Sequence, residues 1–349
     1  MKTLITTGIG LQQENRIFII AEIGVNHNGS LDLAKEMVRK AKECGADCVK
    51  FQTFKASRIA SRQAPKAKYQ LSTTDRAESQ LDMLQKLELS EADYSEIVSF
   101  CRQMGVAFLS TPYDVEDADF LDGLGVTAFK VASGQAVELR FLQHLARKGK
   151  TILLSTGMCT LAEVDEAVRT VRQAGNEKIV VLQCTTNYPS SLADCNLLAM
   201  RTMAESLGVR VGYSDHTESL TAAVLSVALG ACVIERHFTL DRKLEGPDHS
   251  SSSEPAEFKT MVQMIRDAES ALGSARKEPA SVEVENAKGM RRSLTAARDI
   301  REGETLDWNN LTLKRPGTGI CGKTVDLIIG RKARRALAAD ELLTLDMIE

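Results

Sequence analysis

Two histidines stand at the ends of two neighbouring predicted strands. His216 follows the apolar segment VGYS (211–214), and His237 ends the apolar segment CVIERH (232–237), with a helix-like run between them. A strand, a helix and a second strand form a βαβ unit, whose parallel strands end at the same edge of a sheet. Two neutral imidazoles there would supply part of a site for a divalent metal ion. The alternative is that each histidine only satisfies a buried strand end.

A second group of polar side chains also follows predicted strands. It contains two lysines and four hydroxyls: Lys50, Thr111, Lys130, Ser133, Thr186 and Ser214. Two cations beside hydroxyls, without a glycine-rich nucleotide loop, suit a monophosphate. Two other interpretations stay open: a Schiff base on Lys50, as in aldolases, or lysines that are merely solvated at a rim.

Two carboxylates occupy comparable positions. Glu22 ends the first apolar segment, IFIIAE (17–22), and Asp248 lies in EGPDHS (245–250), after the last one. Either could act as a general base or orient a substrate hydroxyl. For Asp248 the alternative is a solvated turn residue.

The elements that carry these side chains repeat eight times. We predict strands at 17–22, 47–52, 106–111, 126–133, 151–156, 178–185, 209–214 and 232–238, each followed by a helix. The helices at 31–45 and 89–105 have serine N-caps, Ser30 and Ser90. Eight such units predict a closed (β/α)₈ TIM barrel with its active site where the strands end. The long polar stretch 53–80 is typical of a functional loop.

The composition changes after the eighth unit. We predict that residues 1–273 form the barrel domain, with an N-terminal hairpin at 1–16. Residues 274–287 are polar and have no hydrophobic period, which predicts a linker. Residues 288–349 predict a small domain of short strands that presents a glycine-rich loop, KRPGTGI (314–320).

Bulk properties limit the classes of partner. The chain has 349 residues and a net charge of −3, which gives no reason to expect nucleic acid or an anionic membrane as partner. Its eight cysteines are scattered, several of them within apolar segments, as in reduced proteins. Neither a signal peptide nor an apolar run of membrane-spanning length is evident, so we expect a cytoplasmic protein.

Several motifs occur in the order and spacing of one enzyme family: AEIGVNHNG, GADCVKFQTF, FLSTPYD, FKVASG, LLSTGM, LQCTTNYP, VGYSDHT and ERHFTLD. With them the sequence resembles the sialic acid synthases, which condense phosphoenolpyruvate with N-acetylmannosamine to give N-acetylneuraminate. NLTLKRPGTGI (310–320) resembles part of their C-terminal antifreeze-like (SAF) domain. The resemblance covers essentially the whole chain, and it identifies the group of nonulosonate synthases better than the sugar.

The resemblance also implies roles for individual residues. His216 and His237 match ligands of Mn²⁺ or Mg²⁺, and the two lysines with the four hydroxyls match positions that hold phosphoenolpyruvate. Near the sugar and the forming bond the matching positions are Glu22, Gln52, Tyr188 and Asp248. Arg315 matches an arginine that reaches the acylamino group of a sugar bound in the partner subunit, because the family forms domain-swapped homodimers.

Two departures and three alternatives accompany this interpretation. Gln135 stands where the family often has an acidic residue, so the role of that carboxylate is not carried over, and Thr186 replaces an asparagine of some members. After an N-acetylneuraminate synthase, the next interpretation is a legionaminate synthase that uses a 2,4-diacetamido hexose. A pseudaminate synthase is disfavoured, because this chain has SGQA at 133–136 and those enzymes have a sequence similar to SFEI there. The alternative from another class is a non-catalytic sugar- or ice-binding protein.

Overall fold

The computed structural model describes residues 16–66, 71, 74–75 and 77–349. The predicted hairpin at 1–16 falls, except for Arg16, outside the described residues and stays a prediction. The chain divides into two compact units, and the boundary between them follows Gly273. Among the described residues, no helix combines the length and the apolar composition that a membrane crossing requires.

The first unit contains eight strands in one parallel sheet. They are β1 Phe18–Gly24, β2 Cys48–Thr53, β3 Ala107–Pro112, β4 Ala128–Val131, β5 Thr151–Ser155, β6 Ile179–Cys184, β7 Arg210–Asp215 and β8 Ala231–His237. The hydrogen-bonded order is β3-β2-β1-β8-β7-β6-β5-β4, and β3 lies next to β4, which brings the two ends of the order together. This arrangement confirms the predicted TIM-like barrel.

Helices follow the strands. They are α1 Leu31–Glu43, α2 Ala56–Ile59, α3 Gln80–Gln85, α4 Glu91–Met104, α5 Val115–Gly123, α6 Leu139–Arg147, α7 Leu161–Gln173, α8 Ala199–Leu207, α9 Thr221–Ala228 and α10 Pro255–Leu272. Both predicted N-caps are confirmed, since Ser30 and Ser90 each accept a backbone N–H of the first turn. The stretch 53–80, predicted as a loop, contains α2 and the first residue of α3.

Alternation along the strands decides which side chains face the barrel axis. Residues such as Ile20, Cys48 and Val233 form a separate, completely buried cluster inside the barrel, while their sequence neighbours pack outward under the helices. Because side chains on a strand alternate with a period of two, the second residue after each inner apolar residue also faces inward. This rule carries Glu22 and Lys50 into the mouth of the barrel.

The second unit has its own core. β9 Ser293–Ala296 pairs antiparallel with β10 Leu311–Lys314, and an apolar cluster that includes Leu294 and Leu311 lies beneath them. Helix α11, Ser281–Met290, begins in the predicted linker and ends three residues beyond it, and periodicity did not predict it. None of its residues is buried, so no hydrophobic stripe marked it in the sequence. Its start is stabilised by the Glu283 side chain, which accepts the backbone N–H of Ala280 at 2.8 Å.

Gly212→Ala is expected to destabilise the barrel by about 1–3 kcal/mol. A Cβ at this inward-facing position of β7 would lie 2.6 Å from Leu182 Cδ2 and 2.6 Å from the carbonyl oxygen of Val233. The carbonyl belongs to the adjacent strand and cannot move without disturbing the sheet. Urea unfolding, with equal slopes for both proteins, measures the change.

Gly123→Ala provides the matched control. Gly123 ends helix α5, is exposed, and a Cβ there would meet no described atom within 4 Å. Alanine is the better helix former, so stability should stay equal or rise by up to about 1 kcal/mol. An unchanged urea midpoint for Gly212→Ala would contradict the prediction, because the sheet would then accommodate a Cβ between β7 and its neighbours.

Candidate active site

One cavity of about 380 Å³ opens at the carboxyl ends of the barrel strands. Twelve of the thirteen residues predicted from the sequence line it: Glu22, Lys50, Gln52, Thr111, Lys130, Ser133, Thr186, Tyr188, Ser214, His216, His237 and Asp248. The thirteenth, Arg315, belongs to the second unit. The structure therefore brings together side chains that are distributed over more than 220 residues of sequence.

A buried ion cluster forms the floor of the cavity. Lys50 Nζ lies 3.0 Å from Glu22 Oε1 and 3.5 Å from Glu235 Oε1, and Lys130 Nζ lies 3.0 Å from the same Glu235 oxygen. Ser214 Oγ donates a hydrogen bond of 2.9 Å to that oxygen as well. All four charged side chains are at most 5% exposed, so water screens their interactions weakly.

Glu235 is the residue that sequence reasoning missed. It precedes His237 by two positions in β8 and therefore faces inward beside it, a signal that strand alternation contains. Tyr113 and Cys184 also line the cavity and were not predicted. Ser155 was noticed only as a polar residue at a strand end, and Gln135 only as a departure from the family. Cys184 Sγ lies 3.8 Å from His216 Nδ1 and 3.6 Å from Ser133 Oγ.

The environment separates the two glutamates chemically. Burial raises the pKa of Glu22 to about 7, with Lys50 opposing and the charge of Glu235 adding to the rise. Burial alone would raise the pKa of Glu235 too, but its two lysine partners hold that pKa well below its usual range. Burial lowers the pKa of Lys130, while Glu235 opposes that shift. With both lysines as ammonium groups, the cluster near neutral pH also carries one permanent carboxylate and one partly protonated carboxyl. Its charge lies between zero and +1, which suits an anionic ligand.

Each of the two glutamates has one carboxylate oxygen without a hydrogen-bond donor among the described residues. Glu22 Oε2 and Glu235 Oε2 are buried and accept no hydrogen bond from the described residues. Buried acceptors without donors are rare in folded proteins. These two oxygens are therefore positions for hydroxyl groups of a substrate or for water.

The two histidines lie side by side at the edge of this cluster. Their ring centroids are 5.5 Å apart, and the ring of Tyr188 packs against both, at 4.2 Å from His216 and 5.6 Å from His237. His216 Nδ1 lies 2.7 Å from the carbonyl oxygen of Thr185. Donation of a proton to that oxygen leaves the Nε2 lone pair of His216 available as a ligand.

His237 is also suited to coordination. Burial, together with the neighbouring His216, holds the pKa of His237 well below its usual range, so the ring is neutral. Its Nδ1 is buried without a hydrogen-bond partner among the described residues. The described part of the chain contains no group of three or more His, Cys, Asp or Glu side chains arranged for a metal. The two rings themselves fit a shared ion, because they lie side by side and each can present a lone pair, with remaining positions open to substrate oxygens or water.

A hydrogen-bonded series connects the floor to the outer wall. Gln52 Nε2 donates to Glu22 Oε1 at 3.1 Å, the Tyr113 hydroxyl donates to Gln52 Oε1 at 3.3 Å, and Gln135 Nε2 donates to the Tyr113 carbonyl oxygen at 3.1 Å. On another side Asp248 is 8% exposed, and burial raises its pKa to about 6. Both Glu22 and Asp248 can therefore exchange protons near neutral pH.

Glu235→Gln is expected to lower the pKa of Glu22 from about 7, because it removes a negative charge that opposes ionisation. With a folded pKa above 4.5, Glu22 holds a proton that the unfolded chain releases. Glu22 therefore lowers the free energy of unfolding as pH rises from 4.5 to about 7. The variant should show a smaller decline over this range in urea unfolding, and carboxyl NMR should report the pKa directly.

The same change leaves two buried ammonium groups with less compensation, so the overall free energy of unfolding should fall by about 3–5 kcal/mol. Ser214→Ala is the matched control, because it removes a hydrogen bond to Glu235 but keeps the charge. A Glu22 pKa that stays near 7 in Glu235→Gln would contradict the electrostatic coupling of the two glutamates.

Comparison with known proteins places the chain in a family. A model of the NeuB family matches residues 37–277, and a model of the SAF domain matches residues 291–349. The chain is 46% identical over 336 residues to the N,N'-diacetyllegionaminic acid synthase of Legionella pneumophila, covering 95% of this chain and 94% of that protein. The corresponding synthase of Campylobacter jejuni is 44% identical over 330 residues, covering 94% and 99%.

A solved structure agrees with this assignment. The N-acetylneuraminic acid (sialic acid) synthetase of Leptospira borgpetersenii, crystallised with citrate, superposes with a TM-score of 0.71 at 29% identity, covering 78% of this chain and 90% of that chain. The family match spans more than half of the chain, and its residues include most of those that line the cavity. This chain belongs to the NeuB family and ends in a SAF domain.

Proposed function

We propose that this NeuB-family nonulosonate synthase condenses phosphoenolpyruvate with an open-chain 2-acetamido hexose and releases phosphate. The observation that supports the proposal most is the buried cluster of two lysines and Glu235 beside two histidines in one cavity. The two lysines can bind an anionic substrate that carries a reactive carbon, and the same cavity can place a hydroxyl-rich substrate next to that carbon. A non-catalytic sugar- or ice-binding protein has no need for such a cluster at the barrel mouth.

For the sugar we place a 2,4-diacetamido hexose first. The relatives that are 46% and 44% identical are both N,N'-diacetyllegionaminic acid synthases, which favours the alternative of the sequence analysis over its first interpretation. N-acetylmannosamine is the second candidate, supported by the similarity to the Leptospira synthetase at 29% identity. The two sugars share the 2-acetamido group and differ at C4.

In the proposed reaction, C3 of phosphoenolpyruvate forms a bond to the aldehyde carbon, the aldehyde π bond opens, and its oxygen takes up a proton. Water adds to C2 and loses its protons as the C2–O bond to phosphate breaks, which leaves a ketone at C2. Lys50 and Lys130 hold the phosphate and carboxylate groups, with hydroxyls of Thr111, Ser133, Thr186 and Ser214 as further donors. Such charge-assisted contacts contribute about 1.5–3 kcal/mol each. They orient C3 toward the sugar and stabilise negative charge on the departing phosphate.

Glu22 and Asp248 move protons in this proposal. Glu22, with a pKa of about 7, accepts a proton from the water that adds to C2. Asp248, with a pKa of about 6, exchanges a proton with a sugar hydroxyl, while Gln52 and Tyr188 contact the sugar. His216 and His237 would hold Mn²⁺ or Mg²⁺, which when bound supplies a Lewis acid that polarises the sugar aldehyde.

The decisive assay is phosphate release from phosphoenolpyruvate in the presence of 2-acetamido sugars. Release should require the sugar, fall at least a hundredfold after complete chelation, and return with Mn²⁺. His216→Ala should lose activity to the same extent because one imidazole cannot retain a weakly held ion.

His144→Ala is the matched control, because His144 pairs with Asp119 at the barrel surface, outside the cavity. It should keep full activity. Undiminished turnover by metal-free enzyme would reject the metal role, and phosphate release independent of any sugar would reject the condensation.

Arg315 is proposed to complete the site of a partner subunit in a swapped homodimer. Within the second unit its Nε donates to the Met290 carbonyl oxygen at 3.1 Å, and its guanidinium forms no ion pair with any described residue. The neighbouring Lys314, in contrast, pairs with Asp340. A guanidinium that is exposed and without a carboxylate partner is available to an acylamino oxygen.

Mixing Arg315→Ala chains with His216→Ala chains tests the swap. Each variant alone should be nearly inactive. In a swapped heterodimer one site has both defects and the other has neither, so random 1:1 mixing should restore about a quarter of wild-type activity. If the arginine acts within its own chain, every site keeps one defect. Subunit exchange without recovery would therefore exclude the swap.

A further inference from the structure

One part of the cavity lies apart from the charged cluster and combines a single acceptor with apolar side chains. Gln135 is 5% exposed and is held by its hydrogen bond of 3.1 Å to the Tyr113 carbonyl oxygen. Because a carbonyl oxygen only accepts, Nε2 must face it, which directs Oε1 away. That Oε1 is buried, and no described residue donates to it. Gln135 thus lines the cavity and holds a buried acceptor without a donor among the described residues.

Tyr113 contacts both features, since its backbone carbonyl accepts from Gln135 and its ring lies against apolar side chains. The ring of Tyr113 meets the ring of Phe54 edge-on, with centroids 6.0 Å apart, and Phe54 packs in a small cluster with Val25. We call the cavity-lining side chains on this side the apolar wall: Val25, Phe54, Ile59, Met83 and Leu84. These residues come from the end of β1 and from the segment that contains α2 and α3.

An acylamino group has the chemistry that this pair of features would recognise. It carries an N–H donor and a methyl group on one flat unit, and its carbonyl oxygen can face the half-exposed side, where Gln80 also lines the cavity. A hydroxyl would leave the apolar wall in contact with water. A free ammonium would lose its hydration against the wall and would gain only a neutral acceptor.

We propose that Gln135 and the apolar wall form a subsite for a second acylamino group of the sugar, at C4. The N–H of that group donates to Gln135 Oε1, and its methyl group packs against the apolar wall. This inference rests on the proposed function and specifies which of the two candidate sugars the chain selects. It also gives a role to the Gln135 amide, at a position where the family that the sequence resembles often has an acidic residue.

Three 2-acetamido hexoses that differ only at C4, with an acetamido, hydroxyl or amino group, test the subsite by phosphate release. Wild type should prefer the acetamido sugar in kcat/KM by about tenfold to a hundredfold over the hydroxyl sugar, and by more over the amino sugar. Gln135→Met, which keeps the length but has no acceptor, should reduce that preference about tenfold. The change should appear in the KM of the sugar and leave the KM of phosphoenolpyruvate unaltered.

Three further variants make the result specific. Gln135→Glu replaces the Nε2 donor to the Tyr113 carbonyl by a carboxylate oxygen, so the acceptor loses its fixed orientation and gains a charge that favours an ammonium. It should therefore reduce the preference for the acetamido sugar most strongly against the amino sugar. Leu84→Asn, on the half-buried part of the wall, should reduce the preference without touching Gln135. Gln183→Met is the matched control, because Gln183 also donates to a backbone carbonyl, that of Cys195 at 2.9 Å, but does not line the cavity.

The outcomes distinguish the subsite from the function it rests on. Phosphate release with an equal loss on all three sugars in both Gln135→Met and Leu84→Asn would overturn the subsite and leave the synthase standing. A wild-type preference for the C4 hydroxyl sugar would do the same. No phosphate release with any sugar would overturn the proposed function itself, and the subsite with it.

Discussion

The site depends on Glu235 being held as a carboxylate between two lysines inside the barrel. Removing three charges from water is costly, and the cost is offset only when each charge meets a partner at hydrogen-bond distance. Lys50 and Lys130 meet Glu235 from β2 and β4, on opposite sides of β8 in the sheet order. A barrel is the arrangement in which strands so distant along a sheet can face one another across a common axis.

The same cluster gives two chemically similar carboxyls different properties. Glu235 has two cations and a serine hydroxyl, so it stays ionised, while Glu22 shares Lys50 and lies near the charge of Glu235. Burial raises the pKa of Glu22 most, and the nearby charge of Glu235 adds to that rise, so the proton is held on Glu22. One glutamate becomes a fixed part of the anion site, and the other is left with a pKa near neutrality.

Away from the charges the cavity becomes neutral and then apolar. Gln135 presents an amide oxygen where a carboxylate would add a further negative group to a cavity that already holds Glu22, Glu235 and Asp248. The wall beyond it consists of Val25, which follows β1, and of side chains from the segment between β2 and α4. The anionic substrate is thus expected on the floor and the acylated part of the sugar toward the wall, with the two histidines at the side.

Eight repeats of strand and helix, and the polar residue at each strand end, were readable from the sequence because both follow local periods of two and 3.6 residues. Those periods predicted the barrel, and the strand ends together with the family resemblance predicted twelve of the residues that line its cavity. The sequence could not determine which side chains touch. Glu235 pairs with both lysines because the barrel brings together strands that are distant in the chain. Gln135 is held in the same way, by the backbone carbonyl of Tyr113 in the loop after β3. Helix α11 was missed since it buries nothing, and Arg315 cannot be placed by any local pattern, because its proposed partner lies on another chain.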